Sequence, residues 1–359
     1  MTKNNQNSRK VHEQPFYYDI RLLLPVLFLV GIGIVMVYSA SSALAFKKFG
    51  TAVVLITELG YSAGGAKRWF RLGSFSFQPS EFARFALIIY LAYSMNKKKN
   101  VLKDFYLGFL PHIVILCMFT VLIIFQPDFG SVVILGALTW VMLFVGGVRL
   151  SHLLTSLALI IPAAYFFMVS ADYRLKRITS FLDPWQHSAN DGYQIVHSLM
   201  AFGTGGIWGT GIGKGYQKLF YLPEPHTDFI FSVIGEELGL LGVLIILGLY
   251  ILIFWRGIFI AKNCKDSFGS FVAIGLTTAI GLQVCVNMGV TLGLLPTKGL
   301  TLPFVSYGGT SLLLNMASIG ILMNIGTAKK VLKKSKVNKT SDSDILSIFT
   351  RLRTVVTGH

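Results

Sequence analysis

The stretch 229-FIFSVIGEELGLLGVLIILGLYILIFW-255 decides the fold class of this chain. It carries only two charged residues, Glu236 and Glu237, and it is long enough to cross a hydrocarbon core of about 30 Å as a helix. A helix that is apolar on all sides belongs in a membrane or in the core of a large protein. The stretch therefore predicts a transmembrane helix.

The rest of the chain repeats this pattern. Of its 359 residues, 53% are hydrophobic and 13% are charged, and the mean hydropathy is +0.63. Ordinary soluble domains carry roughly twice that charge. Further apolar runs predict spans at 22–45, 80–95, 106–126, 130–147, 151–171, 229–255, 268–293 and 302–327. We expect an all-α polytopic transmembrane helix bundle of about eight spans.

The distribution of basic residues predicts the orientation of these spans. An even number of spans places both termini on one side, and the loops of that side hold 20 of the 32 Lys and Arg residues. Because basic residues accumulate in cytoplasmic loops, we expect cytoplasmic tails at 1–21 and 328–359 around a transmembrane domain at 22–327. The large loop 172–228 then faces outward. The basic C-terminal tail is expected to be solvated or to face lipid headgroups, and no nucleic-acid partner is expected.

Charged groups inside the spans are costly unless they are paired or face an aqueous cavity. Glu81 and Arg84 are three residues apart, so they share a helix face and can form an ion pair. That pair is either purely structural or also lines a substrate cavity. Glu236 and Glu237 are neighbours that point about 100° apart, so both cannot face one cavity equally and we expect one of them to be structural.

Two aspartates stand where apolar runs begin. Asp128 either caps the following helix or belongs to a site. Asp228 lies at the outer mouth of its span, where it either caps the helix or acts as a general base toward a sugar hydroxyl of a lipid-linked substrate.

The outer loops contain a glycine-rich segment and an excess of basic residues. The segment 203-GTGGIWGTGIGKG-215 lacks the Gly-Lys-Ser/Thr ending of a phosphate-binding P-loop, so its glycines are expected to allow close backbone packing. Outer basic residues break the charge bias and suggest an anionic ligand; they include Lys67, Arg68, Lys214 and Lys218. The three cysteines predict no disulfide framework.

Several stretches together resemble one family. They are 64-GGAKRWFRLGSFSFQPSE-81, 126-QPDFG-130, 183-DPW-185, 218-KLFYLPEPHTDFIFSVIGEELG-239 and 295-LPTKGLTLPFVSYGGTSLL-313. In this order they are similar to the SEDS proteins (shape, elongation, division and sporulation), and the last stretch is closer to the division type than to the elongation type.

The resemblance implies a peptidoglycan glycosyltransferase that polymerises lipid II at the outer face of the bacterial cytoplasmic membrane. It implies that Asp228 is the catalytic base and that Glu81 and Arg84 occupy the positions of a glutamate–lysine pair. Arg84 departs from that pattern because a guanidinium does not readily deprotonate, so a role in ion pairing is expected there.

The remaining expectations concern ligands. Lipid II carries a diphosphate, and the residues expected to bind the substrate are Lys67, Arg68, Lys214, Lys218, Glu81, Arg84 and His226. A divalent cation, Mg²⁺ or Mn²⁺, would be oxygen-bound and shared with phosphate, because the sequence has no His/Cys ligand cluster. The partners implied are a class B penicillin-binding protein and other division proteins.

The family usually has ten spans, and residues 46–69 leave room for only a short apolar stub. About two N-terminal spans are therefore expected to be missing. Other activities also fit the buried charges: a lipid II flippase, an elongation-type polymerase, or a scaffold for the partner.

Overall fold

The computed structural model describes most of the chain between residues 61 and 327, and a short piece before it. The described residues are 20–22, 24–29, 32, 61–63, 66–72, 75–124, 128–169, 176, 179–189 and 192–327. The two predicted tails lie almost wholly outside the described residues. So does most of the region in which two spans are expected to be missing.

Helices make up most of the described chain. In order, the elements are α1 (Ile20–Leu29), β1 (Tyr61–Ala63), β2 (Ala66–Leu72), β3 (Phe75–Phe77), α2 (Pro79–Lys97), a π-helical turn (Phe105–Phe109), α3 (Leu110–Ile124), α4 (Phe129–Val145), α5 (Leu150–Val169), α6 (Tyr193–Gly205), α7 (Gln217–Phe220), α8 (Ile230–Asn263), α9 (Ser267–Thr291) and α10 (Gly309–Thr327).

Four helical stretches are long and apolar enough to cross a membrane: Phe105–Ile124, α8, α9 and α10. Shorter apolar helices occur at α1, α4 and the first part of α5. Each predicted span has a helix at its position in the described chain. The prediction of a polytopic helical membrane protein is confirmed.

A small antiparallel sheet was not predicted. Its strand order is β1-β2-β3, with Ser62 opposite Lys67 and Arg71 opposite Ser76. β1 and β3 have only three residues each, and the seven residues of β2, AKRWFRL, do not alternate between apolar and polar, so no strand pattern stands out from the sequence.

The bundle packs around α9. In the most apolar 18-residue window of α9, 61% of the residues are buried, against 22–39% in the other three long apolar helices. α9 lies against α8, α2, α4 and α6. Because α2, α4, α8 and α10 begin where α9 ends, several helix termini meet at one end of the bundle, which we call the site end.

α8 is broken at Gly239, whose backbone angles of φ 66° and ψ −164° are not helical. The break divides α8 into a short half, residues 230–238, and a long half, residues 240–263. Backbone groups freed by a break must find partners inside the protein, because lipid offers none. The glycine-rich segment supplies them: Leu240 N donates to Gly206 O at 2.9 Å, and Gly211 N donates to Glu237 O at 3.0 Å.

These contacts require glycine. Gly209 has φ +79°, and a Cβ atom there would overlap with the carbonyl oxygen of Glu237. A Cβ atom on Gly239 would likewise overlap with the backbone nitrogen of Gly209. The predicted role of the glycines in close backbone packing is confirmed.

Replacing Gly209 by Ala should destabilise the protein, since the left-handed conformation alone costs a non-glycine residue about 1–3 kcal/mol and the overlap adds to it. Thermal unfolding of the purified protein in detergent should show a lower midpoint. Gly136→Ala is the matched control, because nothing lies within 4 Å of the Cβ position at Gly136. Equal midpoints for the two variants would contradict the interlocked backbones.

Candidate active site

Asp228 lies at the site end, two residues before α8 begins. Its side chain is half-buried, and the N-cap residue of α8 is Phe229 rather than Asp228. The backbone of Asp228 is fixed by Asn287, whose Nδ2 donates to Asp228 O at 2.9 Å and to Leu300 O at 2.6 Å. One carboxylate oxygen, Oδ2, would be 3.2 Å from a Cβ atom on Gly299, so the side chain lies against the backbone at that glycine.

The segment 295–308 folds back over the residues that precede α8. Tyr307 N donates to His226 O at 2.9 Å, and Ser306 Oγ donates to Thr227 O at 2.6 Å. The segment is itself held from the bundle, because the Tyr250 hydroxyl donates to Pro303 O at 2.5 Å. Asp228 therefore lies where two non-helical segments, the residues before α8 and the segment 295–308, are bonded to each other.

Two strained residues mark the same place. Among the described residues, Glu224 and Phe304 are the non-glycine residues with positive φ, at 50° and 67°. Such conformations persist only where the surrounding structure enforces them, and they cluster at functional sites. One lies in each of the two segments around Asp228.

Glu81 and Arg84 lie in the first turns of α2, also at the site end. The predicted pair is present at an N–O separation of 4.0 Å, and the two side chains are only 10% and 11% exposed. Both line a cavity of about 10 Å³, together with Ser80, Ser131 and Leu300. The pair is thus buried and also faces a small polar cavity.

Asp128 caps α4, as one of its two predicted readings required. Its carboxylate accepts from Ser131 N at 3.2 Å and from Ser131 Oγ at 2.7 Å. Lys298 lies nearby, with its side chain against Gly130. Burial lowers the pKa of the Lys298 ammonium below its ordinary value, and the Asp128 carboxylate partly opposes that shift.

Sequence reasoning missed Lys298 and the polar face of α9. Gln283 Nε2 donates to Thr301 O at 3.0 Å and to Ser311 Oγ at 3.2 Å. Asn287, four residues further along α9, bonds both Asp228 O and Leu300 O, and Leu300 lines the same cavity as Glu81. The signal was present: two buried carboxamides at i and i+4 in an apolar span share one helix face.

The basic residues expected to bind an anion differ in their surroundings where the structure describes their side chains. Lys67 and Arg68 lie on β2, and their side chains fall outside the described part of the structure. Lys214 is exposed, and the half-buried His226 has Nε2 3.7 Å from Glu224 Oε2. Lys218 departs from the expectation, because it is 3% exposed and its Nζ is 2.5 Å from Glu237 Oε1.

Both buried glutamates of α8 bind one segment. Glu236 Oε1 accepts from Tyr216 N at 2.7 Å, and Glu237 Oε2 accepts from Gly213 N at 3.1 Å. Although the two side chains point in different directions, residues 213–218 wrap around the short half of α8 and reach both. The sequence predicted one structural glutamate, and the structure shows that both bind the protein's own chain.

Metal binding has no ready-made cage in the described ranges. Within them, no group of three or more His, Cys, Asp or Glu side chains is placed to hold an ion. Asp128 lies near Lys298, and Asp228 lies against the backbone of the segment 295–308. Any ion there would depend on oxygen atoms brought by the substrate.

Residues 51–331 match the FtsW/RodA/SpoVE family of cell cycle proteins. A probable peptidoglycan glycosyltransferase FtsW from Geobacter metallireducens is 42% identical, and the match covers 87% of this chain and 96% of that protein. Stage V sporulation protein E from Bacillus subtilis is 38% identical, with coverages of 86% and 96%.

Solved structures show the same similarity. A chain from a study of how a peptidoglycan synthase complex coordinates polymerization and crosslinking is 29% identical, with a TM-score of 0.62 over 86% of this chain and 90% of that chain. Thermus thermophilus RodA, the rod shape determining protein, is 28% identical, with a TM-score of 0.56 and coverages of 86% and 96%.

The buried pair of α2 generates a test of coupling. Replacing Glu81 or Arg84 singly by Ala leaves an uncompensated charge, and breaking a buried pair in this way costs about 3–5 kcal/mol. The double replacement should therefore destabilise the protein by less than the sum of the two single replacements. Unfolding midpoints in detergent measure this.

The control is Lys97→Ala, at the exposed last turn of the same helix, combined with each single change. Its effects should add to those of the α2 pair. Strict additivity between Glu81→Ala and Arg84→Ala would contradict the ion pair.

Proposed function

Because the chain belongs to the FtsW/RodA/SpoVE family of cell cycle proteins, we propose that it is a peptidoglycan glycosyltransferase that polymerises lipid II during cell division. The observation that carries the proposal is the placement of Asp228. This half-buried carboxylate is fixed through its own backbone at the site end, where helix termini, basic side chains and a small polar cavity meet.

In the proposed reaction, Asp228 accepts the proton of the acceptor sugar's 4-hydroxyl. The hydroxyl oxygen attacks C1 of the donor sugar, a new C1–O bond forms, and the bond from C1 to the lipid diphosphate breaks with inversion at C1. A fixed general base of this kind contributes typically 10²–10⁴-fold to a rate. Holding Asp228 through Asn287 and against Gly299 keeps the carboxylate oriented before the substrate arrives.

Negative charge develops on the leaving diphosphate, and fixed cations can stabilise it. Lys298 suits this role because it is half-buried near Asp128 and lies in the segment that touches Asp228. Lys67, Arg68 and Lys214 are proposed to hold the diphosphate further out, with His226 beside the acceptor. Glu81 and Arg84 are proposed to line the substrate cavity as an ion pair.

A divalent cation, Mg²⁺ or Mn²⁺, fits the site only as a shared ligand. Oxygen ligands suit both ions, and carboxylates at the site end could complete a shell that begins with phosphate oxygens. When bound, such an ion would neutralise diphosphate charge. Asp228 and Lys298 keep their roles as proton acceptor and cation without it.

We propose that the site end faces outward from the bacterial cytoplasmic membrane and that both termini are cytoplasmic. The excess of basic residues on the terminal side supports this orientation. We also propose a class B penicillin-binding protein as partner, together with other division proteins. The similarity to a chain of a synthase complex that couples polymerization with crosslinking supports this partner.

Asp228→Asn keeps the size of the side chain but removes the base, so glycan polymerisation should fall by roughly 10²-fold or more. The assay is polymerisation of lipid II by the purified protein with its penicillin-binding partner. Asp266→Asn is the matched control, because Asp266 caps the start of α9 at the opposite end of the bundle. Near-normal polymerisation by the Asp228 variant would exclude Asp228 as the base.

The orientation predicts which positions react with a membrane-impermeant thiol reagent in intact cells. The background lacks the native cysteines Cys117, Cys264 and Cys285. A cysteine at Ala189, exposed in the outer loop, should react, and one at Asn100, exposed at the other end of α2, should react only after lysis. The reverse pattern would overturn the orientation.

A further inference from the structure

The short half of α8 is held by a group of charged residues that the reaction itself does not use. Glu236 accepts from the backbone nitrogens of Tyr216 at 2.7 Å and Gln217 at 3.2 Å. Glu237 accepts from Gly213 N at 3.1 Å and binds Lys218 Nζ at 2.5 Å. We call Lys218, Glu236, Glu237 and the backbone of 213–217 the acid clamp.

The acid clamp is buried and continuous with the backbone contacts at the break. Glu236 and Glu237 are each 1% exposed, and Lys218 is 3% exposed. Thr210 N donates to Glu236 O at 3.0 Å. Both the backbone carbonyl and the side-chain carboxylate of Glu236 therefore bind the same loop. Residues 206–218 and the short half of α8 therefore form one packed unit.

The other end of that unit carries Asp228. Asp228 lies two residues before α8, and Glu237 lies about 10 Å along the helix from its first residue, Ile230, at 1.5 Å per residue. Since the helix is broken at Gly239, the long half of α8 does not by itself fix the rotation of the short half. Midway along, the short half has a side-chain contact with α6, in which Ser232 Oγ lies 2.6 Å from Ser198 Oγ. The clamp is the charged anchor at its far end.

We propose that the Lys218–Glu237 ion pair, together with Glu236, is a positioning device that sets the depth and rotation of the short half of α8 and thereby aims the Asp228 carboxylate. This inference rests on the proposed role of Asp228. Lys218 acts through Glu237 and does not bind the lipid diphosphate. It is a positioning residue and not a catalytic one.

The test separates positioning from substrate binding by the steady-state constants for lipid II. The full-length protein, purified with its penicillin-binding partner, is compared with Lys218→Met, Lys218→Met/Glu237→Gln and Lys218→Arg. A displaced base costs turnover, so kcat should fall about tenfold or more in both Met variants. The KM for lipid II should stay within about twofold of the parent value, because uniform binding is untouched.

The double variant removes both buried charges, so its unfolding midpoint should recover toward the parent value while its kcat stays low. Lys218→Arg keeps the charge in a longer side chain, and its kcat should lie between those of the parent and Lys218→Met. Lys265→Met, an exposed lysine at the other end of the bundle, should change neither constant.

Two results would overturn the inference. A raised KM with unchanged kcat would make Lys218 a ligand of the diphosphate, and parental kcat in the folded double variant would remove any positioning role. If Lys218→Met does not insert into the membrane, Lys218→Arg is judged by the same comparison of kcat with KM. In Lys218→Arg the amide hydrogen-exchange rate at 213–217 must also rise, while that of α10 stays unchanged.

Asp228→Asn, assayed beside them, keeps the two failures apart. An inactive Asp228→Asn with a fully active double variant would reject the clamp and leave the proposed function standing. An active Asp228→Asn would reject the base, and the positioning role with it.

Discussion

Backbone hydrogen bonding at the break in α8 is the constraint on which the rest of the structure depends. Water is absent from the membrane interior, so every amide and carbonyl group freed at Gly239 must be paired within the protein. The glycine-rich segment does this by bringing its own backbone into contact with residues 236–241, which only residues without a Cβ atom permit. Once this segment is bound there, the chain that follows it must return to the start of α8, where Asp228 lies.

The same constraint explains why α9 carries polar side chains in the middle of the bundle. The connection between α9 and α10 is not helical, and much of it is buried, so its carbonyl groups need donors. Gln283 and Asn287 supply those donors to Thr301 and Leu300, and Asn287 also bonds the backbone of Asp228. The polar face of α9 thus solves a folding problem and in doing so joins the two irregular segments of the site.

The sequence predicted which elements form this arrangement better than it predicted how deeply their side chains are buried. Apolar runs located the helices, and charges in apolar surroundings pointed to Glu81, Arg84 and Asp228 because each needs a physical reason to be there. Lys218 was expected among the diphosphate ligands because a loop between two spans reads as exposed. The structure instead buries it against Glu237, since the loop wraps around a helix break that periodicity does not reveal. Lys298 was overlooked because it lies just before a predicted span, where a single basic residue carries no pattern of its own.

Lys218, Arg84 and Lys298 differ in how far neighbouring carboxylates already neutralise their charge. Lys218 has a direct partner at 2.5 Å inside the clamp, whereas Arg84 and Glu81 are 4.0 Å apart beside a small cavity. The Lys298 ammonium interacts electrostatically with the Asp128 carboxylate, which already accepts hydrogen bonds as the N-cap of α4. A diphosphate is stabilised most by cations that nearby carboxylates neutralise least. The fold has already removed much of the water around such cations, so their interaction with an anion is strong. We therefore propose that the diphosphate binds close to Lys298 and Arg84, and that the Lys218–Glu237 pair serves to hold the base in place.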